Sequence, residues 1–440
     1  MYIKVILKTR ELIENSEIIF SEHLSSTRAF KRCKKLSLSL MFGLLLKGLS
    51  RSLQIELVDC LTNLEVLDDV ENLPSKSAFS QSRCKIEEGF FKLCNKHLCE
   101  ISKSLNSRSY SPSKPRRVAV DGSILDLPQT LELEEEFGCN KNQHGKRVLG
   151  RFCFAEDIDQ EEILLADLAG YNISEKAIAL PFLNHFGASD LLIYDQYYYG
   201  FEFCYRHIAK GILFLMRVHR TKSNVIKAFV DSDCQDQIIE VKMSQKGLKG
   251  LLADGFEVDG NTTITLRFLK GKDDEGNEIY YVTNLLDNES FTQEYCDESY
   301  HGRWKVETAI DVFKNKLQVE HFAGHSPLAI KQEFHAGVCQ YNLVNQIYIQ
   351  ANEELYEKHP EKRNCYKVNR NLTIGLFNLN FFTLFLDQKE DKALQAAENM
   401  INILVRFPEP IRLGRKFPRK YKINKRKGRC YTQTNYRRAA

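Results

Sequence analysis

The chain has 440 residues, 43% of them hydrophobic and 11% aromatic, so it can bury large cores and is not intrinsically disordered. At roughly 150 residues per domain, this length predicts about three domains. The formal net charge is only +4, but residues 412–438 hold twelve basic residues and no acidic one. The rest of the chain therefore carries 50 basic against 58 acidic residues. A mildly acidic body with a strongly basic tail predicts a polyanionic partner.

Membrane and secreted proteins are excluded by three features. The longest apolar stretch, residues 36–49, contains Lys47 and is shorter than the roughly 20 residues that cross a bilayer. Acidic residues interrupt the N-terminal segment, and no cleavage motif follows, so no signal peptide is predicted. The 13 cysteines include no Cys-x-x-Cys pair, which favours reduced thiols over a disulfide frame or a zinc ribbon. We expect a cytoplasmic protein.

The first part of the chain, residues 1–110, is predicted to be a helical N-terminal region. Apolar residues recur at three- and four-residue spacing in 36–58 and 77–97. Ser75 or Ser77, after Pro74, is placed to cap the second helix. A linker rich in serine, proline and basic residues follows at 106–117.

From Val118 onward the pattern changes to short apolar runs that are typical of strands. Such runs lie at 117–121, 151–156, 162–171, 191–195 and 212–218, with helical patterns at 174–185 and 197–210. This order predicts an α/β sheet covered by helices. Alternating patterns at 238–242, 262–269 and 278–285 then predict a mostly β insertion over about 219–295.

After Tyr300 the helical pattern returns, at 300–317, 327–357 and 388–406. We therefore expect residues 351–440 to be a helical C-terminal region with a basic tail. Prolines and a glycine interrupt any amphipathic helix in that tail, and aromatic residues interleave its charges. Both features favour nucleic acid over a membrane surface as its partner.

The predicted helix 300–317 carries a polar face. On a helical wheel, Tyr300, Arg303, Glu307 and Lys314 share an arc of about 60°. A carboxylate flanked by such donors suits a metal-dependent phosphodiester enzyme, because the carboxylate holds a cation and the basic groups hold the backbone. Taken alone, the same face also fits a solvated surface with compensating charges.

Two aspartates are predicted at the ends of apolar strands. Asp121 follows Arg-Val-Ala-Val, and Asp195 follows Leu-Leu-Ile-Tyr. Open α/β sheets place catalytic groups at such carboxyl ends, although either aspartate alone also fits a turn or a cap. Together with Glu307 they predict a site for two divalent cations about 3.5–4 Å apart.

These residues resemble a known family. The spacing Tyr300-(2)-Arg303-(3)-Glu307-(6)-Lys314 resembles the signature of the insertion-sequence-four family of bacterial DDE transposases. Asp121-Gly-Ser is similar to that family's first-aspartate segment, and Asp195 to its second aspartate. The resemblance covers roughly residues 25–350. It implies an RNase H-like catalytic domain at 111–350, with the β-rich insertion inside it, after an N-terminal region that binds DNA.

The resemblance also implies roles for individual residues. The ligands of Mg²⁺ or Mn²⁺, two ions in number, would be Asp121, Asp195 and Glu307. The phosphates near the transposon end would be held by Tyr300, Arg303 and Lys314. The enzyme would hydrolyse a phosphodiester at the element's end, and the freed 3′-hydroxyl would attack target DNA.

The implied partners are double-stranded DNA, as terminal inverted repeats and as target, and a second copy of the chain in a synaptic homodimer. The implied place is the nucleoid in a bacterial cytoplasm. One position departs from the family, which usually has arginine after the second aspartate where this chain has Gln196. This departure keeps open a catalytically inert DNA-binding relative. A metal-dependent nuclease without strand transfer also stays open, because the same three carboxylates would serve it.

Overall fold

The computed structural model describes residues 2–31, 36–64, 73–105, 109–142, 145–243, 245–273 and 276–412. Apart from Arg412, the predicted basic tail lies outside these residues. Within them, no helix is both long enough and apolar enough to cross a membrane.

The helices of the described residues fall into three groups along the chain. Before the first strand lie α1 (Tyr2–Glu14), α2 (Ser16–Ile19), α3 (Leu38–Lys47), α4 (Leu53–Asn63), α5 (Lys76–Arg83) and α6 (Gly89–Leu105). Among the strands lie α7 (Leu131–Phe137), α8 (Glu175–Ala179), α9 (Phe201–Ala209), α10 (Asn224–Val230) and α11 (Gln245–Ala253). After them lie α12 (Gln293–Gly302), α13 (Trp304–Asp311), α14 (Pro327–Lys358), α15 (Arg370–Phe385) and α16 (Glu390–Arg406).

The strands form one large sheet and one small ribbon. The sheet contains β1 (Arg116–Asp126), β2 (Cys139–Asn142), β3 (Gly145–Asp157), β4 (Glu162–Gly170), β5 (Asp190–Tyr194), β6 (Leu213–Val218), β7 (Asp236–Lys242), β8 (Thr263–Lys272) and β9 (Glu278–Thr283). The ribbon contains β10 (Tyr366–Lys367) and β11 (Glu409–Pro410).

The nine-stranded sheet mixes parallel and antiparallel pairs, in the order β2-β3-β1-β5-β6-β9-β8-β7, with β4 also paired to β3. Strands β1, β5 and β6 are parallel neighbours, whereas β3 runs antiparallel to both β1 and β4. The parallel strand β5 is buried along its whole length, as its unbroken apolar sequence requires. The prediction of a mixed α/β fold is thereby confirmed.

The segment 219–295 joins the same sheet. Its strands lie close to their predicted positions, and β9 pairs antiparallel with β6 at Leu215↔Thr283. This pairing supplies hydrogen-bond partners for the backbone groups at the edge of β6. The segment therefore extends the core sheet through β9, β8 and β7. Helices α10 and α11 also lie in this segment, which is therefore less purely β than predicted.

Each of the two helices predicted near the N-terminus is divided into two. Gly48, with φ of 82°, ends α3, and Ser52 then precedes α4. The Ser75 hydroxyl accepts the Ala78 N–H and caps α5, as predicted. Glycine at a left-handed position is a common helix stop, which explains why the apolar period continues across a break.

The long helix α14 packs against both the N-terminal helices and the sheet. It contacts α3, α6 and β4, and its Asn342 amide donates to the Ile163 carbonyl at 2.9 Å. One hydrophobic cluster includes side chains from the N-terminal helices, one face of the sheet and the C-terminal helices. The predicted division at residue 350 falls inside α14. Helix α15 was not predicted, because it is apolar on most sides and shows no amphipathic period.

A carboxyl group, Glu156 of β3, is buried beneath α14. The Tyr341 hydroxyl donates to Glu156 Oε1 at 3.2 Å, whereas among the described residues Oε2 has no hydrogen-bond partner. Burial, and then the charge of Glu161, raise the pKa of Glu156 to about 8. The group is therefore neutral in the folded protein at pH 7, although it ionises in the unfolded chain.

We expect Glu156→Gln to stabilise the protein progressively as the pH rises. The folded-state pKa lies above the unfolded value, so wild-type stability falls from about pH 4.5 to about pH 8, by roughly 3 kcal/mol at pH 7. Glutamine removes this titration. Urea unfolding at pH 5, 6, 7 and 8 should show a difference that grows with pH. Parallel curves for the wild type and Glu156→Gln would contradict the assignment, as would an equal pH-dependent gain in the control Glu240→Gln, which removes an exposed carboxylate.

Candidate active site

The two predicted aspartates lie side by side at the point where two parallel strands separate. Strand β1 is longer than predicted, because β3 pairs with it as far as Asp126↔Leu149, and Asp121 is therefore inside the strand. The pairing of β1 with β5, however, stops at Val120↔Tyr194. Asp121 and Asp195 are the next residues on the two strands, so both carboxylates lie just beyond the shared ladder.

Arg303 joins two of the three predicted carboxylates. It lies between α12 and α13 and is only 6% exposed. Its Nη1 donates to Asp121 Oδ2 at 3.1 Å, and its Nη2 donates to Glu307 Oε1 at 2.6 Å. Among the described residues, Nε of Arg303 is buried without a hydrogen-bond partner. The guanidinium therefore occupies the space between Asp121 and Glu307 and keeps one donor unused.

The predicted helix 300–317 is not one regular helix. It consists of α12, α13 and a π-helical turn at Val312–Lys316, with helical backbone angles at Arg303. The π turn adds a residue and changes the direction in which Lys314 points. Its Nζ donates to the Ile124 carbonyl of β1 at 2.5 Å and lies 3.2 Å from Glu320. Lys314 is therefore held against β1, further along the strand than Asp121.

Tyr300 lies behind Arg303 and is 6% exposed. Its ring packs 5.2 Å from the ring of Tyr281, and the Arg303 guanidinium lies 5.5 Å from its centroid. Burial raises the pKa of Tyr300, the guanidinium groups of Arg303 and Arg217 oppose that shift, and the charge of Asp195 adds to it. The phenol therefore lies among the charged groups of the site, and Arg217 of β6 is a basic residue that the sequence pattern did not indicate.

The environment of Asp121 disfavours its charged form. Burial raises the pKa of Asp121 to about 6, against the opposing effects of Arg303 and the Gly122 N–H. The charges of Asp195 and Glu307 raise the same pKa. One guanidinium thus pairs with two of the three carboxylates, Asp195 follows the strand beside Asp121, and the remaining negative charge suits divalent cations with oxygen ligands. The residues present fit the metal site that the sequence predicts.

The carboxylate oxygens of Asp121, Asp195 and Glu307 do not all lie within 4.8 Å of one another. In the described part of the chain, the set of three potential ligands whose atoms all lie within 4.8 Å is Glu88, Asp167 and His335. Lys92 Nζ lies 2.7 Å from Glu88 and 3.0 Å from Asp167, so an ammonium group already neutralises that set. Glu88, Asp167 and His335 connect the start of α6 with β4 and α14, and we assign no metal to these three residues.

The structure adds a fourth carboxylate near the site, on the other face of β1. A Cβ on Gly122 would lie 2.5 Å from Glu175 Cγ, and burial and then the Asp195 charge raise the pKa of Glu175, against Arg151. The sequence pattern did not indicate Glu175, because it is an ordinary first-turn residue of α8 after Ser174, whose hydroxyl accepts the Ala177 N–H.

Three residues beside the carboxylates face solvent. Gln196 and Tyr197 are exposed after Asp195, and the Tyr197 N–H donates to Asp195 Oδ1 at 2.8 Å. Trp304, which follows Arg303, is 54% exposed.

Comparison with known proteins identifies the family of the chain. A family model described as "Transposase DDE domain" matches residues 112–343, slightly more than half of the chain and the part that holds all the predicted ligands. None of the curated proteins matches. Among solved structures, the chain resembles the piggyBac transposase in a cryo-EM synaptic complex with hairpin DNA, at 11% identity and a TM-score of 0.42, over 91% of this chain and 85% of that one. The family match shows that the chain belongs to the transposases with a DDE domain, and its function is DNA transposition.

Proposed function

We propose that the protein is a transposase of the insertion-sequence-four type. It cuts DNA at the ends of its element by metal-dependent hydrolysis and joins the freed ends to target DNA. The observation that supports this most strongly is the bridge from Asp121 through Arg303 to Glu307, beside Asp195. All of these residues lie inside the segment that matches the family model.

In this proposal, Asp121, Asp195 and Glu307 hold two Mg²⁺ or Mn²⁺ ions. Such ions polarise the phosphodiester and lower the pKa of the attacking water. Asp121 is joined to Glu307 through Arg303 and lies next to Asp195 where the pairing of β1 with β5 stops, so it is the residue best placed to be shared by both ions. Neutralisation of the three carboxylates removes the need for Arg303 to remain paired with two of them.

Arg303 then becomes available for a phosphate. Its Nε already has no hydrogen-bond partner among the described residues, and its fork of donors matches a phosphate group. Tyr300 and Arg217 would support it from behind. Lys314, held at β1, would contact the DNA backbone further from the cleaved bond.

We also propose a division of the chain into functional parts, and the fold supports it. The five strands in the order β4-β3-β1-β5-β6, with β3 antiparallel to β1 and β4, would be the RNase H-like core within residues 111–350. Residues 1–110 would bind the element's ends, and residues 351–440 would add a helical region with a basic tail. A homodimer would hold two ends together in the bacterial nucleoid.

Cleavage of a supercoiled donor plasmid tests the proposal. With inverted repeats around a marker, target DNA and Mg²⁺, the purified protein should release the element and join it to the target. End binding without cleavage in Mg²⁺ or Mn²⁺ would show that the protein is a catalytically inert relative. The exposed Gln196 is the reason to test this alternative. Cleaved ends that are never joined to the target would show a nuclease without strand transfer.

A further inference from the structure

The backbone after Asp121 is shaped around the side chain of Glu175. A Cβ on Gly122 would lie 2.5 Å from Glu175 Cγ and 2.7 Å from the Phe152 carbonyl oxygen. Both distances are shorter than real Cβ contacts, so glycine at 122 leaves the space that Glu175 fills. Side chains alternate across a strand, and Gly122 therefore opens toward the face of β1 opposite Asp121 and Arg303.

Glu175 is held in this place by the neighbouring strand. Arg151 of β3 donates from Nη1 to Glu175 Oε1 at 3.3 Å, and its guanidinium lies 5.6 Å from the Tyr171 ring. The side chain of Glu175 is 21% exposed, so it is neither a free surface group nor a core residue. Glu175 is therefore a fixed carboxylate that reaches solvent.

Glu175 lies beside the end of β5, because it packs on Gly122 of β1, and the pairing of β1 with β5 stops just before, at Val120↔Tyr194. Asp195 is the carboxylate that raises the pKa of Glu175, after burial and against Arg151. Strand β5 ends at Tyr194. Beyond Tyr194, strand β5 no longer separates the face of the sheet that holds Glu175 from the face that holds Asp195. Asp195 and Glu175 therefore lie on opposite faces of the sheet beside Gly122, the glycine that follows Asp121, where β5 no longer stands between them.

We propose that Glu175 is a positioning residue of the catalytic centre, which accepts hydrogen bonds from water bound on the Asp195 side of the metal site. This inference rests on the proposed function, because it needs cations at Asp121, Asp195 and Glu307. Mg²⁺ keeps several of its waters when it binds to protein, and carboxylates outside the ligand set commonly orient such groups. Glu175 lies on the opposite face of β1 from Arg303, so it supplements the three ligands and does not replace one.

Mn²⁺ binding to the full chain without DNA, followed by electron paramagnetic resonance, tests this role. Glu175→Gln keeps the size of the side chain and removes its charge, and we expect Mn²⁺ to bind about tenfold more weakly. The Mg²⁺ concentration for half-maximal donor cleavage should rise by a similar factor, and excess Mg²⁺ should restore most of the rate. The melting temperature without metal should stay close to that of the wild type.

Glu202→Gln is the matched control. Glu202 is also a half-buried carboxylate near α8, paired with Lys176 at 2.8 Å, and its loss should leave Mn²⁺ binding unchanged. A second variant, Arg151→Met, removes the group that fixes Glu175 and should weaken Mn²⁺ binding in the same direction. Unchanged Mn²⁺ affinity in Glu175→Gln would overturn the inference.

Asp121→Asn separates this result from failure of the proposed function. If Asp121→Asn weakens Mn²⁺ binding and Glu175→Gln does not, the role of Glu175 is wrong and the metal site stands. If neither variant changes Mn²⁺ binding, or the wild type binds no Mn²⁺, the proposed metal site itself is wrong. Weaker Mn²⁺ binding in both variants, with unchanged binding in Glu202→Gln, supports both the proposed metal site and the role of Glu175.

Discussion

Glu307→Gln is expected to reduce cleavage at the element's ends by at least about a thousandfold while end binding persists. The substitution keeps the shape of the side chain and removes one of the three negative charges that would hold the cations. Losing several kcal/mol of transition-state stabilisation corresponds to about three orders of magnitude in rate. Arg303 Nη2 can still donate to the amide oxygen of glutamine, so the helix should keep its position. Donor cleavage and gel-shift titration with end DNA, run on the same preparation, measure the two properties.

Asp311→Asn is the control for this variant. Asp311 is an exposed carboxylate on the same helix, α13, and it accepts a hydrogen bond from the Asn315 amide at 2.7 Å. Its loss should change the cleavage rate by less than about twofold, as is usual for surface positions away from a site. Equal loss of cleavage in both variants would indicate a general effect on α13. Cleavage at the wild-type rate by Glu307→Gln would remove this residue from the catalytic set.

Arg303→Met is expected to destabilise the metal-free protein by about 3 kcal/mol, the cost of removing one partner from a buried ion pair. Asp121 and Glu307 would then face each other without a positive charge between them. Cations bound there would supply that charge, so Mn²⁺ should restore much of the lost stability. The melting temperature of variant and wild type in a chelator and in Mn²⁺ measures the effect.

The loss in Arg303→Met should also depend on pH. Arg303 lowers the pKa of Asp121, which nonetheless reaches about 6 against an ordinary value of 3.8. Without Arg303 this folded-state pKa rises further, and a carboxyl with a raised pKa loses stability as the pH increases through it. The variant should therefore be closer to the wild type at pH 5.5 than at pH 8.

Arg116→Met provides the comparison for Arg303. Arg116 pairs with Asp190 at 2.7 Å, at the opposite end of β5 from Asp195, and Asp190 is 8% exposed. Its removal also breaks a half-buried ion pair, but Mn²⁺ should not restore the stability. Recovery of Arg116→Met in Mn²⁺, to the same extent as Arg303→Met, would show a general effect of the ion and contradict the assignment of a site at Asp121 and Glu307.

Local patterns predicted much of the fold and the main elements of the site. The unbroken apolar run 191–194 predicts a buried strand, and Asp195 follows it in the structure as in the sequence. The spacing of Arg303 and Glu307 by four residues places both on one helical face, where the structure joins them. These features depend on neighbours along the chain, and the sequence contains that information directly.

Features that depend on distant partners were not predictable in this way. The extension of β1 to Asp126 arises from pairing with β3, and the segment 219–295 joins the main sheet because β9 meets the edge of β6. Lys314 does not lie on the predicted helical face, because it is part of a π-helical turn that contacts β1. Glu175 resembled a helix-start residue until the fold placed it over Gly122.

Anomalous scattering from crystals grown with Mn²⁺ tests most directly whether the predicted carboxylates form the metal site. We predict one or two peaks bounded by Asp121, Asp195 and Glu307, about 3.5–4 Å apart when two ions are bound. The guanidinium of Arg303 should no longer lie between Asp121 and Glu307. Mn²⁺ bound instead at Glu88, Asp167 and His335, with Arg303 still paired to Asp121 and Glu307, would contradict the account.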